Sequence, residues 1–375
     1  MTDSKRSANS PLRSKLRGIK PAVIERRETM KRATQLLLGL SLVMGLTCEI
    51  LTTPAISQEI KREAIIEAAK KEGKLQIYAL LVAADHMQII QRFKEKYPFI
   101  DVALYRITSE RLYTRIETEA RANTHLADVI GISGFQMYQL VKRGLMAKYE
   151  SPERRYFEPG FKDKEGYWTA YYVNPIVTAY NTRQVSAHDA AKDYADLLDP
   201  KWKGKLVMED EEIEWFSTMM SFWGDEKGTA YMRRLAAQNF NFRHGHTLMS
   251  QLVAAGEYPG AVFVYGPQTQ FIRSTGAPID WNALNPTVAG VNLMGVAAHA
   301  PHPNAAQLYV DHMLSEEIQR DFLAGKFFKV SARKGVANAI QQKLAHVKVI
   351  PVDISQSEHL DKHSKTYREL FLAGH

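Results

Sequence analysis

Apolar residues recur at helical spacing in "EIKREAIIEAAKKEGK" (59–74), where Ile60, Ala64, Ile65 and Ala68 share a face and Gly73 is placed to end the helix. "LQIYALL" (75–81), apolar apart from Gln76 and of strand length, reads as a buried strand. In "HMQIIQRFKEKY" (86–97) helical spacing returns, with Asp85 as N-cap, Met87, Ile90 and Phe93 inward, and Pro98 beyond the end. "IDVALYR" (100–106) alternates like a strand, Ser109 is placed to cap "ERLYTRIETEARA", "ADVIGIS" (127–133) is a third strand, and "GFQMYQLVKRG" is a helix ended by Gly144. Strands alternating with such helices predict βαβ units and a mostly parallel sheet.

The pattern then changes. "YWTAYYVNPIVTAYN" (167–181) is long, aromatic and extended, with Pro175 inside it. A proline argues against an ordinary central strand, so the segment is expected to cross between two lobes. "KLVM" (205–208), helices near 217–236 and 247–255, and the strand "PGAVFVY" build the second lobe. "GVNLMGVAA" (290–298) is a second crossing, and "PNAAQLYVDHML" and "SEEIQRDFLA" return in helices. The expected fold class is α/β, two lobes with a cleft between them and two crossing segments. Residues 58–170 and 290–375 form lobe 1 and 171–289 form lobe 2. Ligands of open α/β sheets sit at the carboxyl ends of strands, and two facing sheets can close on one by hinge motion.

Charge changes the picture only at the start of the chain. The 375 residues carry 49 Lys/Arg and 41 Asp/Glu, a net charge of +8. Ten of the basic and four of the acidic residues lie in 1–57, which leaves 39 against 37. That balance is no footprint for nucleic acid. Within this basic stretch, "MKRATQLLLGLSLVMGL" gives Met30, Lys31, Arg32 and an apolar run from Leu36 to Leu46, followed by "PAIS". This reads as a signal peptide cleaved between Ser57 and Gln58, with an apolar run too short to span a bilayer. The alternative is an uncleaved anchor. Residues 1–29 are a patternless basic extension. Cys48, the one cysteine, excludes a disulfide framework and leaves lipid anchoring at Cys48 as an alternative. The chain is read as exported to a bacterial periplasm.

Candidate binding residues are those at strand tips. Ser133 and Gly134 offer a hydroxyl and free N–H groups at a helix start, an arrangement suited to an anion, or simply an N-cap. Tyr265 ends its strand, with Gly266 and Pro267 shaping the turn. Trp215 beside Ser217 suits an organic ligand with a polar end, or lobe packing. "EDEEIE" (209–214) reads as a solvated charge run. His244-Gly245-His246 lacks a visible third metal ligand and reads as a turn, with Thr247 capping or facing the cleft. Tyr172 and Asn174 on the first crossing would form an aromatic, polar floor, or pack the hinge. No Ser-His-Asp series, cysteine nucleophile, Walker loop or complete metal set is visible, so no enzyme, cofactor or metal is expected.

"LYRITSERLYTRIETEARANTHLADVIGISGFQMYQLVKRGLMAKY", "YNTRQV", "DLLDPKWKGKLVMED", "LVAAGEYPGAVFVYG" and "HAPHPNAAQLYVDHMLSEEIQRDF" occur in that order. Together they resemble type II periplasmic solute-binding proteins of ABC importers, the branch with ferric-iron, thiamine and polyamine binders. The resemblance covers 58–340. It implies a monomer of the two-lobed periplasmic-binding-protein type II fold, which captures a small solute by hinge closure and delivers it to an inner-membrane ABC permease. Ferric-binding members end the strand matching "PGAVFV" in two adjacent tyrosines. Here only Tyr265 is present, Ile132 and Ser133 stand where an acid is used, and His86 falls too late for the histidine after the first strand. The expected ligand is therefore organic or an organic anion, not ferric iron held in that mode. A ligand-sensing subunit on the same fold, or a ferric binder with divergent ligands, remains as an alternative.

Overall fold

The computed structural model describes residues 54–373. The charged start, the apolar run and Cys48 lie outside the described residues; Ser57 and Gln58 fall in the opening helix. The helices are α1 (Pro54–Glu72), α2 (Ala83–Lys96), α3 (Ser109–Arg121), α4 (Gly134–Lys142), α5 (Ile213–Trp223), α6 (Asp225–Ala236), α7 (His246–Ala255), α8 (Gly266–Ser274), α9 (Pro303–Leu314), α10 (Ala339–Leu344) and α11 (Leu360–Tyr367). The strands are β1 (Lys74–Ala79), β2 (Asp101–Arg106), β3 (Val129–Ser133), β4 (Thr169–Asn181), β5 (Leu206–Glu209), β6 (Asn241–Arg243), β7 (Gly260–Tyr265), β8 (Ile279–Asn282), β9 (Thr287–Val296) and β10 (Val349–Pro351).

The strands run in the order β2-β1-β3-β9-β4-β7-β5-β6, with β10 beside β9 and β8 beside β4. β1 pairs in parallel with β2 and β3, and β5 pairs in parallel with β6 and β7. The long strands β4 and β9 run antiparallel to these and to each other. β4 pairs with β9 through Pro175 and with β7 and β8 from Ile176 onward. Pro175 thus sits where the strand changes partners. The strand lies in the middle of the order, and its proline falls at the junction between two sheets rather than inside one.

Buried faces follow the sequence pattern with some departures. Helix α2 turns His86, Ile89, Ile90 and Phe93 inward, while Met87 is 52% exposed. The inward face is therefore rotated from the expected one: His86 shares it with Ile89, Ile90 and Phe93 at i+3, i+4 and i+7, and its Nε2 lies 2.6 Å from the Tyr309 hydroxyl. Asp85 lies in the first turn of α2, and Val82 occupies the N-cap without a side-chain bond. Ser109 is the first residue of α3 instead of its cap, a position taken by Thr108. The helical stretch expected near 217–236 is two helices, α5 and α6, broken at Gly224, whose φ of 80° suits glycine. His302 and Asp128 tie the loop before α9 to β3, through a backbone N–H bond of 2.6 Å and an imidazole contact of 2.9 Å.

The last segment of the chain touches both lobes. β10 extends the sheet beside β9. Ile354 packs on Gly134 of α4, Glu358 accepts a hydrogen bond from Tyr138, and Asp353 accepts one from Ser221 of α5. The Tyr367 hydroxyl donates to the Glu209 carbonyl at the end of β5.

Candidate functional site

The carboxyl ends of β5, β6 and β7 lie side by side because these strands are parallel neighbours. They deliver Glu209, the His244–His246 turn and Tyr265 to one region. α5 starts just after β5 and brings Glu212 and Glu214 to the same place. Glu212 is 4% exposed, and its Oε2 has no hydrogen-bond partner. That oxygen lies 3.5 Å from His246 Nε2. The opposite ring nitrogen, Nδ1, is 3.1 Å from the Phe263 carbonyl and so carries the proton in the neutral ring. The imidazole stacks on Tyr265 with centroids 3.8 Å apart.

The electrostatics follow from burial of like charges. Desolvation pushes Glu209 up to about 7, with Asp210 adding to the rise. Glu214 is pushed up to about 7 by burial and by Glu110 of α3. Glu212 rises well above the ordinary carboxyl range through burial and the charges of Glu214 and Glu209. Burial and the same three carboxyls raise the Tyr265 phenol. Burial lowers His246 to about 4, so the ring stays neutral. The sequence run 209–214 is therefore not a uniformly solvated surface: Glu211 is exposed, while Glu209 and Glu212 are buried.

The crossing strands supply the floor. Asn174 pairs with Gly290, and a Cβ placed on Gly290 would lie 3.7 Å from Glu214 Oε2. Asn174 Oδ1 is buried without a partner among the described residues. Tyr172 is buried, and the Lys329 ammonium lies 5.4 Å from its ring centroid. The Tyr172 phenol is pushed up to about 12, mainly by desolvation. Tyr265, Tyr172 and Asn174 thus gather with Glu212, Glu214 and His246.

Other candidates take different places. Trp215 is buried in lobe packing, stacked on Phe263 at 3.6 Å. Ser217 contacts His363 of α11 at 2.9 Å, which turns its hydroxyl toward the end of the chain. The Ser133 hydroxyl is engaged by Ser109 at 2.7 Å and by Gln136. At Gly134 a Cβ would lie 2.6 Å from Ile354, so the start of α4 is covered by that side chain. Thr247 is exposed in the first turn of α7.

Sequence reasoning missed Glu209, Glu212, Glu214 and Lys329. The usable signal for the first three was their position directly after a buried strand, where side chains point to a cleft. A third partner also stands beside His244: ligand atoms of Glu209, Asp210 and His244 lie within 4.8 Å of one another. Two internal contacts tie this group together. His244 Nδ1 lies 2.9 Å from Asp210, and both Glu209 oxygens accept the Gly245 N–H.

Comparison with known proteins places this geometry in a family. Residues 125–357 match the profile of bacterial extracellular solute-binding proteins. A Sinorhizobium fredii protein, y4fP, described as an ABC transporter periplasmic-binding protein, is 30% identical over 109 residues. That match spans 29% of this chain and 30% of the relative. Iron-bound HitA from Pseudomonas aeruginosa has a TM-score of 0.68 at 22% identity, over 78% of this chain and 99% of that one. AfuA from Actinobacillus pleuropneumoniae, with fructose-6-phosphate bound, has a TM-score of 0.66 at 21% identity, over 80% and 99%. These likenesses carry the two-lobed periplasmic-binding fold. The chain belongs to the bacterial extracellular solute-binding protein family.

Proposed function

We propose that the protein captures a small organic solute between its lobes, closes on it by hinge motion, and hands it to an ABC permease in the inner membrane. The observation that carries this reading is the set of buried polar side chains at the strand tips and on the crossing strand, with Glu212 Oε2 and Asn174 Oδ1 lacking partners among the described residues. Unpaired buried acceptors are costly, and a ligand with hydrogen-bond donors satisfies them. The periplasmic location follows from the family; among the described residues no helix is long and apolar enough to cross a membrane. The reaction class is binding without chemistry, by one chain acting alone and with no nucleic acid partner.

The structural relatives bind iron in one case and a sugar phosphate in another, so ligand class rests on this chain's own residues. Tyr265 is followed by glycine, which removes the second phenolate of the two-tyrosine iron mode. Burial, and the neighbouring carboxyls after it, raise the Tyr265 phenol and so favour its protonated form. A purely anionic solute meets those same carboxyls, which weighs against the organic-anion expectation at the lobe-2 end of the cleft.

A thermal-shift screen of the purified protein against ferric citrate, phosphate, polyamines, thiamine, amino acids, sugars and aromatic acids tests the proposal. A ligand at a hundred times its Kd adds about 2.7 kcal/mol, a shift of several degrees. Stabilisation by one organic class is expected; a response to ferric citrate alone would overturn the organic reading.

A further inference from the structure

The cleft has two poles. The first is acidic: Glu212 is nearly fully buried with a free oxygen, and Glu214 lies beside Gly290, level with Asn174 on β4. The second is basic. Lys329 is 9% exposed, and among the described residues no hydrogen bond or ion pair reaches its ammonium. Its close contact is the Tyr172 ring at 5.4 Å, and Asp85 acts on it only through space. The exposed Arg106 guanidinium acts on Tyr172 from that side as well, opposed by the Asp85 carboxyl.

Each pole is unfavourable without a partner. Burial holds Glu212 in its neutral form and disfavours the charge on Lys329, so each group gains from a partner of opposite charge. The two poles do not neutralise each other: neither Lys329 nor Arg106 pairs with Glu212 or Glu214. Tyr172, beside Lys329, and Asn174, level with Glu214, are two residues apart on β4, about 7 Å along the strand at ~3.3 Å per residue. Tyr172 lies against Lys329 and Tyr265 stacks on His246 beside Glu212, so each pole has a tyrosine next to it.

Resting on the solute-capture reading, we infer that the ligand is a zwitterion whose ammonium or guanidinium meets Glu212 and Glu214 and whose carboxylate meets Lys329. A simple polyamine leaves Lys329 facing like charge. A simple dicarboxylate leaves Glu212 and Glu214 in the same position. Only a molecule carrying both charges, with a short apolar stem to lie against the tyrosines, satisfies both poles.

The test is calorimetric titration of the full chain with 4-aminobutanoate, 5-aminopentanoate and 6-aminohexanoate, each against the diamine and the dicarboxylate of the same chain length. At least one amino acid is expected to bind tenfold or more tighter than both of its partners. Lys329→Met is expected to move the preference toward the diamine, and Lys329→Arg to restore the original order. Glu212→Gln is expected to reduce discrimination against the dicarboxylate. Equal binding of a diamine or dicarboxylate, an unchanged order of preference in Lys329→Met and Glu212→Gln, or silence across the whole series overturns the inference. If the series is silent while another solute class stabilises the protein in the broad screen, solute capture stands and only the zwitterion falls. If every solute in the screen is silent, the underlying reading falls with it.

Discussion

Glu212→Gln is the substitution that separates a binding carboxylate from a structural one. In the empty protein Glu212 is buried beside Glu209 and Glu214, and its folded pKa lies above the unfolded value of 4.5. The folded state therefore holds more protons than the unfolded chain at any pH between those two values. Stability falls as pH rises through that window and is fully retained below 4.5. One proton of difference corresponds to about 1.4 kcal/mol per pH unit. Glutamine has the same shape, cannot ionise, and can donate an N–H toward His246 Nε2. The variant should therefore match the parent near pH 4 and then gain on it by about 1.4 kcal/mol for each unit above 4.5, until the folded-state pKa is passed. Urea denaturation of the ligand-free proteins at pH 4, 5, 6 and 7 reads this directly. Parallel stability curves, or a variant that loses ground as pH rises, would refute the claim that Glu212 is an uncompensated acid. Ligand binding should move the opposite way, because the variant loses a charge-assisted hydrogen bond of about 1.5–3 kcal/mol, some ten- to a hundredfold in Kd.

Two further substitutions test neighbouring parts of the account. Tyr265→Phe keeps the ring stacked on His246 and removes only the hydroxyl. The melting temperature of the empty protein should hold within a degree or two, while ligand affinity in the same buffer drops severalfold; an unchanged affinity would make Tyr265 a packing residue only. Gly134→Ala drives a methyl to within 2.6 Å of Ile354 and 2.8 Å of Val291, an overpacking that costs about 1–3 kcal/mol. Ile354→Ala in the same chain should recover part of that loss in chemical denaturation, and no recovery would mean that Val291 sets the limit.

Much of the fold is legible in the sequence because period and punctuation agree. Strand β3 and helix α4 follow from "ADVIGIS" and "GFQMYQLVKRG", and Gly144 ends the run with a φ of 69°. Pro175 is informative for a physical reason: a residue without an N–H is tolerated where β4 leaves one partner and takes up another. Helix faces are less secure. Met87 and His86 are adjacent, and His86, in register with Ile89, Ile90 and Phe93, takes the buried side, where its ring meets the Tyr309 hydroxyl.

The candidate site is only partly legible. Tyr265 could be read because a strand ends at it. Trp215 and Ser217 carry suitable chemistry, yet their helix α5 turns them onto Phe263 and His363. The acids at 209–214 look alike in sequence, and only the packing of α5 against β9 and its neighbouring helices distinguishes Glu212 from the exposed Glu211. Lys329 is more than 150 residues from Tyr172 in the chain, and nothing local marks it. Its place comes from the Val173–Val330 bridge, which lays the segment after α9 along the crossing strand.

The central claim is that two lobes close on a solute. Met87 of α2 and Leu248 of α7 are exposed positions near the strand tips of opposite lobes. Spin labels introduced through Met87→Cys and Leu248→Cys, with Cys48 replaced, report the distance across the cleft by pulsed dipolar spectroscopy. Addition of the solute that stabilises the protein most should shorten that distance and narrow its distribution. An unchanged distance at saturating solute would contradict closure, and with it the account of this cleft as a capture site.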